Sequence, residues 1–242
     1  MRREVLPLNT LNPNSPAQVA GRNEPPSSDP LADLNAFAEI AFVRRRVKRG
    51  EAAFHMGDSF SAIYTVRSGF FKTTSVHDMG HEQVVGFFMR GELFGLDGIG
   101  SEHYNCTARA LEDSEIFVLP FPQMQVLARD NQAMQHQLHQ LLSREITRDH
   151  GMMILLGSMR AEVRLASFLT NLSARLVRRG YSPSDFVLRM TREDIGSYLG
   201  LKLETVSRLF SQFQNSKLLE VQQKHVRILD LQGLQQMLAV PS

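Results

Sequence analysis

Four side chains near the C-terminal end, Glu204, Ser207, Arg208 and Ser211, stand at spacings i, i+3, i+4 and i+7 within TREDIGSYLGLKLETVSRLFSQF, Thr191 to Phe213. On a helix that spacing puts all four on one face. Their chemistry suits base edges in a major groove. Arg208 can donate two hydrogen bonds to guanine O6 and N7, Glu204 can accept from a cytosine N4 amino group, and Ser207 can bond several base edges or a phosphate. Together they favour a G·C pair inside the recognised site. Glu204 and Arg208 also have the spacing of a solvated ion pair, worth about 0.3–0.5 kcal/mol.

The surrounding residues predict the elements that must position this face. Thr191 is placed to N-cap a short helix, with Asp194 closing a capping box three residues on, and its hydroxyl can also reach DNA. Gly196 leaves room for a second helix to cross closely, and Gly200 suits a turn with positive φ. Ile195, Leu199, Leu201, Val206, Leu209 and Phe213 supply a buried side opposite the polar face. A hairpin reading Lys217-Leu-Leu-Glu-Val and His225-Val-Arg-Ile follows as a wing. The pattern is a helix-turn-helix with a wing.

Charge agrees with that placement. From Met159 onward the chain carries 12 Lys+Arg against 7 Asp+Glu, leaving 15 against 18 before it, so the basic end holds the reading face. The first 35 residues are rich in Pro, Asn and Ser and predict a disordered arm. Residues 36–121 show short alternating apolar runs, Ala62–Val66, Phe70–Thr74, Gln83–Phe88 and Ile116–Leu119. Gly57, Gly69, Gly80 and Gly91 recur between them, as in strands wound into a roll. Over 122–158 the period becomes helical. Asn131 is placed to cap a long helix whose stripe of Leu138, Leu142, Ile146, Met153 and Leu156 suits a seam with a second copy of itself. Asp149 falls in register with that stripe, where it either faces its symmetry mate or points to solvent. Gly157-Ser158 reads as a hinge, and a further amphipathic helix from Ala161 to about Arg178 opens the last domain, 159–242.

The Glu204-x-x-Ser207-Arg208 helix, the glycine-punctuated stretch from Gly57 to Gly100 and the long helix between them resemble the CRP/FNR family of bacterial transcription regulators over about residues 37 to 236. Segments such as Tyr64-Thr-Val-Arg-Ser-Gly69 and Asp194-Ile-Gly-Ser-Tyr-Leu-Gly-Leu201 are most similar to its fumarate and nitrate reduction branch. The resemblance implies an α+β chain: a cyclic-nucleotide-binding-like β-roll, a dimerisation helix and a winged helix-turn-helix. It further implies a homodimer on double-stranded DNA bearing a TTGAT-N4-ATCAA-like palindrome, control of low-oxygen or respiratory genes, and contact with RNA polymerase, to which Val76, His77, Asp78, Met79, Gly80 and His81 correspond.

The sensing chemistry of the family does not carry over. The branch holds a [4Fe-4S] cluster on four cysteine thiolates, whereas this chain has Cys106 alone, and Phe117 occupies the position of the fourth ligand. In the cyclic-nucleotide branch an arginine pairs the phosphate. Here Gly91-Glu-Leu93 occurs, but Tyr104-Asn105 falls near the Arg-Ser site and Leu96 near the ribose-binding Glu. Three sensing alternatives stay open, no cofactor, haem on Cys106 or a histidine from the His77/His81 or His136/His139 pairs, or thiol redox control at Cys106, beside the alternative of a cyclic-nucleotide-responsive regulator of the same fold. The chain has no nucleophile elbow, phosphate-binding glycine loop with lysine, zincin motif or cysteine-rich zinc spacing, so no enzyme is expected. No apolar run long enough for a membrane span and no signal-peptide core appear, and the expected location is the cytoplasm.

Overall fold

The computed structural model describes residues 43–76, 80 and 82–239. The N-terminal arm therefore lies outside the described residues, as do His77, Asp78, Met79 and His81 of the loop named above. Eight strands come first: β1 Val43–Val47, β2 Ala52–Phe54, β3 Ala62–Ser68, β4 Phe70–Val76, β5 Glu82–Met89, β6 Leu93–Phe94, β7 Thr107–Ala110 and β8 Ser114–Pro120. They form two antiparallel four-stranded sheets, ordered β1-β8-β3-β6 and β2-β7-β4-β5. Side chains alternate across each strand, so the inward set Phe54, Tyr64, Val66, Phe71, Phe88, Phe94, Tyr104 and Ile116 packs between the sheets as a roll. The recurring Gly57, Gly69, Gly80 and Gly91 all have positive φ and stand in the bends between strands.

Helices follow. Two occupy the stretch read as helical, α1 Phe121–Asp130 and α2 Gln132–Ser158, and Asn131 caps the second as expected: it is extended and its side chain accepts a bond from Met134 N. Phe121, Met124 and Met134 pack with Ile63, Phe117 and Leu119 in a second small core beneath the β1-β8-β3-β6 sheet. The hinge moves. The helix runs through Gly157 and Ser158, and the chain leaves it at Met159 and Arg160, both extended.

The last part holds α3 Ala161–Val177, β9 Asp185–Val187, α4 Arg192–Leu199, α5 Leu203–Asn215, β10 Leu219–Gln222, β11 His225–Ile228 and α6 Leu231–Ala239. The strands pair in the order β10-β11-β9, giving the expected wing a third strand. Leu165, Leu169, Leu172, Ile195, Leu199, Val206, Leu209 and Phe213 form its core. That core does not close on itself: Phe70, Val84, Phe87 and Met89 of β4 and β5 belong to the same cluster. The roll thus forms one wall of the C-terminal domain.

Candidate nucleic-acid interface

The reading face is built from beneath. In α4, Asp194 N donates to Thr191 Oγ1 at 3.0 Å while Thr191 N donates to Asp194 Oδ2 at 2.8 Å, which closes the expected capping box. The helix ends at Gly200, φ 62°, and Leu201 N donates to Gly196 O at 2.8 Å. A Cβ on Gly196 would lie 2.6 Å from Leu201 O, so only glycine lets the turn fold this tightly. Val206, Leu209, Phe210 and Phe213 then anchor α5, each apolar side chain contributing about 1.5–3 kcal/mol by burial.

The other side of α5 is free. Glu204, Ser207, Arg208 and Ser211 are all exposed, as the sequence spacing required, and Ser211 Oγ donates back to Ser207 O at 3.2 Å. No ion pair joins Glu204 to Arg208 among the described residues, so neither is tied up by the other. Beside them Thr191 is exposed at the start of α4. An additional cation, which the spacing argument missed, lies at Arg192, stacked on the buried Phe210 behind the face. Its guanidinium carbon lies 3.2 Å from the ring centroid of Phe210, Nη1 has no hydrogen-bond acceptor in the structure, and burial pushes its pKa down to about 10. The signal was a basic residue in the first turn of a helix, where the macrodipole opposes it. An arginine there gains from a nearby anion.

The wing flanks the face. Lys224 Nζ donates to Arg189 O at 3.4 Å, and His225 Nε2 lies 2.7 Å from Asp185 Oδ1, binding β11 to β9.

The long helix presents two apolar stripes rather than the single one expected. Met134, Leu138 and Leu141 pack on the chain's own roll, and Leu155 packs on the C-terminal core. Leu138 is therefore corrected from the seam to the inner face, and its burial against α1 is the reason. Leu142 is half-buried over the roll, and Leu156 is half-buried beside Gly200. Ile146 at 56% and Met153 at 68% stand exposed with Asp149 between them, so the unpartnered apolar stripe is the short middle of the expected seam.

Between the roll and α2 lies a cavity of about 380 Å³ lined by Ser75, Phe88, Asp97, Asn105, Cys106, Glu145, Arg148 and Asp149. Its one cation, Arg148, is paired with Glu145 and lies 4.9 Å above the Phe88 ring. Three carboxylates against one engaged guanidinium do not suit a cyclic phosphate. Tyr104 points into the roll core, its hydroxyl donating to Ala62 O at 2.7 Å, and Asn105 is held by Asp97 and Ser101. Cys106 is buried, and burial together with the adjoining Asp97 carboxylate holds its thiol well above the usual range. Such a thiol is a poor nucleophile. Phe117 sits in the other core, its ring 5.9 Å from the guanidinium carbons of both Arg44 and Arg67. One buried thiol and a phenyl ring flanked by cations do not fit a four-thiolate cluster. Among the histidines weighed for haem, His136 and His139 are exposed on α2, and Gln140 Nε2 lies 2.9 Å from His136 Nε2. No group of three or more His, Cys, Asp or Glu able to hold a metal occurs among the described residues.

Comparison with known proteins agrees with this architecture. The Crp-like helix-turn-helix domain family matches residues 163–237 and the cyclic nucleotide-binding domain family matches residues 44–131. The transcriptional activator protein FnrA of Stutzerimonas stutzeri is 46% identical over 209 residues, covering 86% of each chain. The chain belongs to the CRP/FNR family. The fumarate and nitrate reduction regulatory protein of Escherichia coli is 40% identical over 205 residues, covering 85% of this chain and 82% of that one. Among solved structures, FixK2 from Bradyrhizobium japonicum superposes with a TM-score of 0.77 at 24% identity, over 84% of this chain and all of that one, which supports the fold. The regulator is a DNA-binding transcription factor and not an enzyme, and no helix among the described residues is long and apolar enough to cross a membrane.

Proposed function

We propose that this regulator binds, as a homodimer, a palindrome of TTGAT-N4-ATCAA type and activates low-oxygen or respiratory genes in the cytoplasm without an iron-sulfur cluster. The observation that carries the reading is the face of α5. Glu204, Ser207 and Arg208 are exposed on an anchored helix with their polar atoms uncommitted, and Arg208 reads the guanine while Glu204 takes the cytosine amino group. Thr191 and Ser211 hold the flanking phosphates. Two-fold symmetry of the operator calls for two copies of the chain, whose α5 helices enter successive major grooves about 34 Å apart.

The second copy covers Ile146 and Met153 of α2, with Leu142 and Leu156 at the ends of the seam. Asp149, exposed between them, then faces its symmetry mate, and two carboxylates in a closing interface repel. RNA polymerase is met by the residues that join β4 to β5, Val76, His77, Asp78, Met79, Gly80 and His81. Activity follows from dimer concentration and promoter context rather than from a bound cofactor, and Cys106 serves as a buried apolar residue.

The test is a binding titration on a TTGAT-N4-ATCAA duplex with protein purified once in air and once anaerobically, each with its absorption spectrum. Equal binding by two colourless preparations is expected. Binding confined to one preparation, with a haem or charge-transfer band, would overturn the cofactor-free reading.

A further inference from the structure

The C-terminal domain is fastened to the roll by charged side chains as well as by shared apolar core. Glu92, at the bend between β5 and β6, sits between Arg175 of α3 and Arg179 of the turn that follows it. Arg175 Nε donates to its Oε1 at 2.9 Å and Arg179 Nη2 donates to the same oxygen at 2.7 Å, while Met89 N donates to Oε2 at 3.0 Å. Arg175 also donates to Phe87 O at 2.7 Å, and Arg179 to Arg90 O. A second tie runs to the helix-turn-helix itself. Lys72 Nζ of β4 donates to Asp194 Oδ1 at 2.7 Å, and Val84 N of β5 donates to Ser197 Oγ at 2.8 Å. Between the two ties Phe87, Phe168 and Tyr198 pack as an aromatic trio with centroids 5.1 to 6.1 Å apart.

Three properties of these ties point beyond simple stability. First, they join α3 and α4, the elements on which α5 rests, to a sheet that is rigidly part of the roll. Second, charge-assisted hydrogen bonds with several donors on one carboxylate fix direction as well as distance. Third, the ties leave Glu204, Ser207, Arg208 and Ser211 exposed, so the docked domain is presented to DNA rather than masked. A loosely tethered domain would reach a half-site as well, but two such domains would lose orientational freedom on binding two half-sites together.

We propose that Glu92 and Lys72 are positioning residues: they hold the DNA-binding domain at one orientation on the roll and thereby set the half-site spacing the dimer accepts. This rests on the dimer-on-palindrome reading above. Neither residue touches DNA. Glu92 of the Gly91-Glu92-Leu93 motif is engaged by the chain's own arginines.

The experiment compares wild type with Glu92→Gln on duplexes carrying one half-site, the palindrome with its four-base spacer, and palindromes with the spacer changed by about one or two base pairs. Hydrogen exchange of the Val84 amide, which donates across the interface to Ser197, is followed alongside. The proposal expects Glu92→Gln to bind the single half-site like wild type, to lose its preference for the four-base spacer by about tenfold, and to exchange Val84 faster. Unchanged spacer preference in a variant with unchanged Val84 exchange would overturn it. Should wild type itself show no preference among spacers, the palindrome reading fails, and Val84 exchange alone then decides the docking: slow in wild type and fast in the variant sustains the clamp, equal rates remove it. Lys72→Gln, on the other tie, carries the same expectations if Glu92→Gln does not fold.

Discussion

The two faces of the DNA-binding domain are made by opposite means. On the outer face, Glu204, Ser207 and Arg208 stand free in solvent, contributing almost nothing to the fold and, in the function proposed above, reading the bases. On the inner face, Phe87, Phe168 and Tyr198 interlock while Glu92 is held between two arginines and Asp194 is paired with Lys72, and every group there serves the fold first. The contrast separates specificity from stability. A regulator so built can change the sequence it reads without unfolding, but it cannot change how the reading head sits on the sensor domain without loss.

Breaking the inner face should have the largest effect. Phe87→Ala deletes a ring that is 3% exposed and shared between the two domains, and is expected to lower stability by about 3–5 kcal/mol, read as a fall in the urea midpoint. A loss below about 1 kcal/mol would mean the two domains fold without each other. Gly196→Ala comes next. Its Cβ meets the Leu201 carbonyl, and a cost of about 1–3 kcal/mol in stability is expected, with half-site binding weakened in parallel as the turn opens. The outer face should behave differently. Arg208→Ala is expected to cost about 1–3 kcal/mol of binding and to relax discrimination at the guanine, while the melting curve moves by less than about 0.5 kcal/mol.

Acid should separate the faces without mutation. Burial alone would raise the carboxyl of Glu92, but the facing Arg175 and Arg179 outweigh it and hold the group below the usual carboxylate range. Asp194 is likewise held low, against the opposing effect of burial, by its bonds from Lys72 and Thr191. Groups depressed in the folded state contribute stability in full above the unfolded values, about 3.9 for Asp and 4.3 for Glu, and lose it as pH falls through their lower folded values. The protection of the Val84 amide, taken as the intrinsic exchange rate at each pH divided by the observed rate, should therefore be flat above about pH 5 and fall below about pH 4. The smallest effect is expected on α2, where Asp149→Ala removes a like-charge repulsion and should raise the dimer fraction at fixed concentration in sedimentation velocity. An unchanged fraction would remove Asp149 from the seam.

What was legible in the sequence follows the same division. The reading face, its capping box and its turn glycines are local patterns, set by spacings of three and four residues, and each stands where the sequence put it. The roll was legible through the recurrence of its glycines, because the bends require positive φ. The clamp was not legible. Lys72 and Asp194 are separated by 122 positions, and Glu92 lies 83 and 87 positions from its arginines, so no periodicity links them. The long helix was half legible. A single stripe with spacing near 3.5 could not reveal that Leu138 serves the chain's own core while Ile146 and Met153 face outward, because helical period alone does not distinguish two adjacent apolar faces. The hinge was misplaced for a related reason: Gly157 lowers helix propensity, yet Arg164 donates to Leu156 O and Met159 O and holds the helix end in place.

The most direct test of the central claim, that α5 reads sequence through Arg208, is a double-mutant cycle between the protein and its site. Wild type and Arg208→Ala are titrated on the TTGAT palindrome and on one in which the guanine of each half-site is replaced. Replacing the guanine is expected to weaken wild type by about 1–3 kcal/mol per half-site and to leave Arg208→Ala nearly indifferent. Equal losses for both proteins would contradict it, and would place Arg208 on the phosphate backbone instead.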